Sequence, residues 1–121
     1  MSRTILAVDD SKSIRDMIKL TLSPLGYKVI EAENGQKGLE TFKTEPVSLV
    51  ITDLNMPVMN GFDFIRSVRK LPKGAGVPII MLTTESKPEA KAEGKAAGAT
   101  GWITKPFTPE NLISVAKRLA G

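Results

Sequence analysis

The 121-residue sequence contains no cysteine and no histidine. Without cysteine there is no disulfide framework and no thiolate nucleophile. Without histidine, Ser-His and Cys-His catalytic systems and imidazole acid-base chemistry are excluded, and a zinc site would have carboxylates alone. Aromatic residues make up only 5% of the chain. No apolar run approaches the roughly 20 residues of a membrane helix, and the opening Met1-Ser2-Arg3-Thr4 enters an apolar segment without a signal-peptide layout. A cytoplasmic protein with no membrane contact is therefore expected. The net charge of +4 is spread along the whole chain, with no run of five basic residues and little aromatic interleaving, which argues against nucleic-acid binding.

What is present suits one globular domain. Hydrophobic residues at 41% can fill a single core, and charged residues at 25% match the globular average. The expectation is one domain over 1–121, without linker, repeat or low-complexity tract and with no output domain following.

Apolar runs alternate with helical patterns. Thr4-Ile5-Leu6-Ala7-Val8 is nearly all apolar, as a strand buried on both faces requires, and stops at Asp9-Asp10. Ile14, Met17, Ile18, Thr21, Leu22 and Leu25 then recur at helical spacing, with Lys12, Arg15, Asp16 and Lys19 on the other side. Tyr27 to Glu31 reads as a second strand and Asn34 to Lys43 as a short helix. Val47 to Thr52 is a central strand ending at Asp53. The loop Asp53 to Gly61 precedes a helix carrying Phe62, Ile65 and Val68. Val77 to Leu82 forms the fourth strand, ended by Thr83-Thr84. Ser86-Lys87-Pro88-Glu89 matches a capping box that opens a helix to about Ala97. Gly101 to Thr104 is a brief fifth strand. Lys105-Pro106 leads to a last helix with Thr108 as cap and Leu112, Val115, Ala116 and Leu119 inward. Such alternation implies right-handed crossovers and a parallel sheet covered by helices on both faces.

In open sheets of this kind ligands bind at the carboxyl ends of the strands. Here Asp9-Asp10, Asp53, Thr83 and Lys105 all fall at that edge, while Glu31 at the end of the second strand lies outside it. Three converging carboxylates repel one another unless a cation joins them or their pKa values rise. A hard divalent ion with oxygen ligands, Mg2+ before Ca2+, suits the set. Asp53 is then the candidate nucleophile toward phosphorus, with Asp9 and Asp10 holding the metal. The Lys105 ammonium would neutralise a phosphoryl group and the Thr83 hydroxyl would bond to it, although the sequence does not choose Thr83 over Thr84.

The ordered set Ile5-Leu6-Ala7-Val8-Asp9-Asp10-Ser11, Asp53-Leu54-Asn55-Met56-Pro57-Val58-Met59-Asn60-Gly61, Leu82-Thr83-Thr84-Glu85 and Lys105-Pro106-Phe107 resembles the receiver domain of bacterial two-component response regulators, in particular the stand-alone chemotaxis type. The resemblance runs from about Arg3 to the C-terminus. It implies a flavodoxin-like (βα)5 doubly wound fold of strand order 2-1-3-4-5, with Asp53 as phosphoacceptor and Mg2+ on Asp9, Asp10, Asp53 and the main-chain carbonyl of Asn55. Thr83 and Lys105 would be the phosphoryl partners, and a cis peptide at Lys105-Pro106 would aim the ammonium. The implied donor is a sensor histidine kinase or a small acyl phosphate. The domain would catalyse its own phosphorylation and slow dephosphorylation without turning over an external substrate. Asn55 and Glu85 occupy the positions that tune hydrolysis. Trp102 stands where the family usually has Tyr or Phe as a rotating switch aromatic, and its larger indole needs both space and an N–H partner.

In the fourth helix, Lys87, Lys91 and Lys95 stack at i, i+4, i+8, as do Glu85, Glu89 and Glu93, and Gly94 costs about 1 kcal/mol relative to Ala. A marginal helix follows. With Trp102 and the last helix, its lysine stripe reads either as a solvated surface or as an output face, on helix 4, strand 5 and helix 5, for an acidic partner protein. A monomer is expected. The leading function is a phosphorylation-operated switch in chemotaxis signalling. Alternatives are a phosphate sink, a phosphorelay intermediate, an interaction module that has lost phosphorylation, or a small Mg2+-dependent aspartyl-phosphate phosphatase. The last is disfavoured because Asp9-Asp10 are adjacent and no cap domain fits in 121 residues. A flavodoxin is disfavoured by the acidic first turn.

Overall fold

A computed structural model describes residues 3–121, and the Met1-Ser2 start lies outside it. The described residues form five strands, β1 (Thr4–Val8), β2 (Lys28–Ala32), β3 (Leu49–Thr52), β4 (Ile79–Thr83) and β5 (Gly101–Thr104). Alternating with them are five α-helices, α1 (Lys12–Leu22), α2 (Gly35–Thr44), α3 (Gly61–Lys70), α4 (Pro88–Ala97) and α5 (Pro109–Leu119). All strand pairs are parallel, in the order β2-β1-β3-β4-β5. The register sets Val8 beside both Ala32 and Thr52, and Thr83 beside Thr104, so the strands end nearly level.

Side chains alternate across the sheet and build two cores. Ile5, Ala7, Ile80 and Leu82 pack with Ile18 and Leu22 of α1 and Leu112, Val115 and Ala116 of α5. Leu6, Val8, Ile79 and Met81 pack with Phe42 of α2, Phe64, Ile65 and Val68 of α3 and Ala97 of α4. The nearly continuous apolar runs of β1 and β4 thus follow from burial on both faces. No helix among the described residues is long and apolar enough to cross a membrane.

Local chemistry starts the helices where short polar side chains replace missing backbone partners. Ser11 Oγ accepts from Ile14 N, Asn34 Oδ1 from Lys37 N, Asn60 Oδ1 from Asp63 N, and Thr108 Oγ1 from Asn111 N. Helix α4 is the exception. Ser86 does not cap it and the expected Ser86–Glu89 box does not form; Lys87 is the N-cap and makes no side-chain capping bond. The Glu85 carboxylate accepts from Ser86 N at 3.0 Å and Lys87 N at 3.2 Å instead, and the cap lies one residue later than the sequence pattern indicates.

Other boundaries shift by one or two residues: β2 runs to Ala32 rather than Glu31, α2 starts after its Asn34 cap, and β3 begins at Leu49 rather than Val47. Met17 and Leu25, placed inward by periodicity, are 46% and 45% exposed. The apolar stripe of α1 is wider than the surface available to cover it, and only Ile18 and Leu22 of that helix are buried.

Candidate active site

The acidic residues meet at the carboxyl edge of the sheet. Asp9 and Asp10 follow β1, Asp53 follows β3, and each offers a carboxylate oxygen within 4.8 Å of the others. Asp9 and Asp53 are buried, whereas Asp10 faces solvent. From the residue after β5, Lys105 sends its ammonium to this cluster, Nζ lying 3.0 Å from Asp9 Oδ2 and 3.6 Å from Asp53 Oδ2. The Lys105–Pro106 peptide is cis, as the resemblance implies.

Backbone contacts fix these groups. Asp53 N donates to Val8 O at 2.8 Å, and Asp53 Oδ1 accepts from Leu54 N at 2.7 Å. This leaves Oδ2 on the Lys105 side. Asp9 Oδ1 accepts from Ser11 N at 2.9 Å, an Asx turn that leads directly into α1. Burial pushes the Asp9 carboxyl above the usual carboxylate range; the Ser11 N–H pulls it down, the Asp53 charge pushes it up, and Lys105 pulls it down again. One ammonium faces three carboxylates at this edge. An all-oxygen donor set with one solvent-facing member fits a hard divalent cation that retains waters, and Mg2+ meets that description.

Thr83, the last residue of β4, is fully buried, whereas Thr84 is exposed. Its carbonyl accepts from Lys105 N at 2.8 Å, which ties it to the lysine, and its Oγ1 accepts from Glu85 N at 3.4 Å, so the hydroxyl proton is free to donate elsewhere. Asn55 is exposed in the loop after Asp53. In the same loop Val58 is 81% exposed with φ at 70°, a left-handed conformation costly for a β-branched residue.

The remaining site candidates lie away from the carboxylates. Trp102 is half-buried on β5, and its Nε1–H donates to Glu85 O at 2.9 Å, so the indole has its polar partner and grips the segment between Thr83 and α4. Gly94 explains how the large ring fits: a Cβ there would lie 2.7 Å from Trp102 Cζ3. Lys91 and Lys95 border a cavity of about 300 Å3 with Ala99, Thr100, Gly101 and Trp102, while Lys87 stands outside it at the helix cap. The acidic stripe is broken up, since the Glu85 carboxylate accepts from the Ser86 and Lys87 N–H groups and Glu93 pairs with Arg66 of α3 at 3.1 Å.

Sequence periodicity assigned Arg15 to the outer side of α1. In the structure its side chain is only 14% exposed and reaches back to the end of β1, where Nη1 donates to Asp9 O at 2.6 Å.

Comparison with known proteins agrees with this geometry. Residues 5–117 match the response regulator receiver domain family. Over 110 residues the chain is 44% identical to the chemotaxis protein CheY1 of Helicobacter pylori, covering 89% of each chain. The structure of Vibrio cholerae chemotaxis protein CheY4 superposes with a TM-score of 0.94 at 47% identity, covering 98% of this chain and 99% of that one. The receiver domain of a Pseudomonas aeruginosa sensor histidine kinase, whose structure has a magnesium ion coordinated in the active site cleft, superposes with a TM-score of 0.92 at 26% identity, covering 100% and 99%. A flavodoxin-like sheet that sets Asp9, Asp53 and Lys105 together at one edge, on a sequence matched over nearly its full length, makes this chain a member of the response regulator receiver family, similar to the CheY chemotaxis proteins.

Proposed function

We propose that the protein is a Mg2+-dependent phosphoryl acceptor that takes its phosphoryl group on Asp53 and thereby changes its affinity for a partner protein in chemotaxis signalling. The observation that carries this reading is the position of Lys105 Nζ between the Asp9 and Asp53 carboxylates. Phosphoryl transfer depends on placing positive charge where negative charge gathers in the transition state. The Lys105 ammonium supplies that charge from the protein, and the Thr83 hydroxyl donates to a second phosphoryl oxygen.

Asp53 Oδ2 forms a bond to phosphorus as the bond from phosphorus to the donor breaks. The donor is the phosphohistidine of a sensor kinase, or acetyl phosphate with acetate as the leaving group. The product is an acyl phosphate. Lacking histidine, the chain cannot supply the phosphohistidine itself. Asp9, Asp10, Asp53 and the Asn55 carbonyl would hold Mg2+, whose contribution is charge neutralisation at the phosphoryl oxygens. Asn55 and Glu85, flanking the site, tune hydrolysis. The target protein engages the face formed by α4, β5 and α5, where Lys91 and Lys95 lie beside Trp102 and form no ion pair among the described residues.

The test is intact mass after incubation with acetyl phosphate, with and without Mg2+, beside Asp53→Asn. The expected result is a Mg2+-dependent gain of one phosphoryl group that is absent from the variant. No gain from acetyl phosphate or from a matched histidine kinase would overturn the reading.

A further inference from the structure

Arg15 has no place in the proposed chemistry, yet it is a mostly buried cation beside the acidic cluster. Its guanidinium bridges two strand ends: Nη1 donates to the main-chain carbonyl of Asp9 at 2.6 Å, and Nε donates to Glu31 Oε1, near the end of β2, at 3.1 Å. The preceding peptide, Val8–Asp9, is held by the Asp9 N–H, which donates to Ala32 O at 3.1 Å. The Asp9 carboxylate is held by Ser11 N, and Ser11 is also the N-cap of α1, with its carbonyl accepting from Arg15 N at 3.1 Å. These bonds close a ring in which Arg15, one turn into the helix, reaches back and fixes the carbonyl that joins Asp9 to Asp10.

We infer that Arg15 is a positioning residue for the cation site, acting through the Asp9 carbonyl and anchored by Glu31. This inference rests on the proposed function. Rotation of the Asp9–Asp10 peptide would carry the exposed Asp10 carboxylate away from Asp9 and Asp53, and the Arg15 bond opposes that rotation. A planar guanidinium can serve two acceptors in different directions at once, whereas an ammonium on a flexible stem holds neither orientation. Outer partners that orient metal ligands change metal affinity by about 10- to 100-fold when removed.

Charge alone predicts the opposite sign. Deleting a cation beside three carboxylates strengthens binding of a divalent ion, whereas deleting a positioning bond weakens it. The experiment therefore measures Mg2+ affinity directly, by titration calorimetry and by the Mg2+-induced rise in thermal midpoint, for wild type, Arg15→Met and the charge-neutral pair Arg15→Met/Glu31→Gln. About tenfold weaker Mg2+ binding is expected in both variants, with Arg15→Lys recovering only part of it. The phosphorylation rate with acetyl phosphate should fall at low Mg2+ and return toward wild type at saturating Mg2+, because Arg15 does not touch the phosphoryl group.

The paired variant leaves no unpartnered carboxylate, so it serves if Arg15→Met alone does not fold. Unchanged or tighter Mg2+ binding in folded variants overturns the assignment. A wild type that binds Mg2+ but gains no phosphoryl group sinks the acceptor reading and leaves the calorimetric test of Arg15 standing; a wild type that binds no Mg2+ overturns both.

Discussion

Helices α4 and α5 flank the same edge of the sheet on opposite faces and are built differently. Helix α5 opens on a Thr108 cap with Pro109 at its first position and buries Leu112, Val115 and Ala116. Helix α4 opens without a side-chain cap and buries only Gly94 and Ala97. Buried apolar surface supplies most helix stability in proteins, so α5 is anchored to the core, while α4 rests on a few contacts that are nearly all polar or aromatic. Besides Ala97 in the core, those contacts are Trp102 against Gly94, the Trp102 bond to Glu85 O, the Arg66–Glu93 pair, and Arg69 at the far end. Segments that move in switching are drawn from the less stable parts of a fold. The weakly held helix is the one that follows Thr83.

The largest test of this contrast is Leu112→Ala, at a fully buried position. It should destabilise the whole domain by about 2–5 kcal/mol, seen as a lower denaturant midpoint with coincident loss of all probes. Next is Arg69→Met. The Arg69 guanidinium donates to Gly98 O from Nε at 3.1 Å and Nη2 at 2.7 Å, and from Nη1 to Gly74 O at 2.8 Å and Val77 O at 2.6 Å. It clamps the C-terminus of α4 to the start of β4, complementing the helix dipole. Removing it should cost about 2 kcal/mol, with hydrogen exchange accelerated in α4 before α5; uniform acceleration would contradict a separately held α4.

Gly94→Ala sharpens the comparison by its sign. Helix propensity favours Ala by about 1 kcal/mol, but the new Cβ would press on Trp102. The substitution should therefore destabilise the wild type by about 1 kcal/mol and stabilise a Trp102→Ala background by a similar amount. The same sign in both backgrounds would show that the ring does not govern the packing of α4. The smallest effect is expected from Lys87→Asp, which supplies the missing cap and should stabilise α4 by about 0.5 kcal/mol, raising amide protection there and leaving α5 unchanged.

Much of the site was legible because parallel topology does geometric work that the chain order already encodes. Once β1, β3, β4 and β5 are parallel, the residues after them share one edge, so Asp9, Asp53, Thr83 and Lys105 needed no further information to be grouped. The choice between Thr83 and Thr84 was different. Strand alternation allows either, and burial of Thr83 separates them. Met17 and Leu25 read as core because periodicity reports the apolar side of a helix and not how much of that side a neighbour covers. The start of α4 differs from the pattern because Glu85, immediately upstream, takes the Ser86 N–H that the Glu89 carboxylate would accept in a capping box.

The sequence alone determined the alternation of strands and helices, the Thr108 cap that opens the last helix and the set of acidic and basic groups at the strand ends. These depend on hydrophobic period and on side chains acting within about one helical turn of their own position. Tertiary structure decided what Arg15, Arg69 and Trp102 hold. Each donates to a main-chain carbonyl, at Asp9, Gly98 and Glu85 respectively. Every residue carries such an acceptor, so no side-chain pattern marks the chosen one, and only packing brings it under the donor.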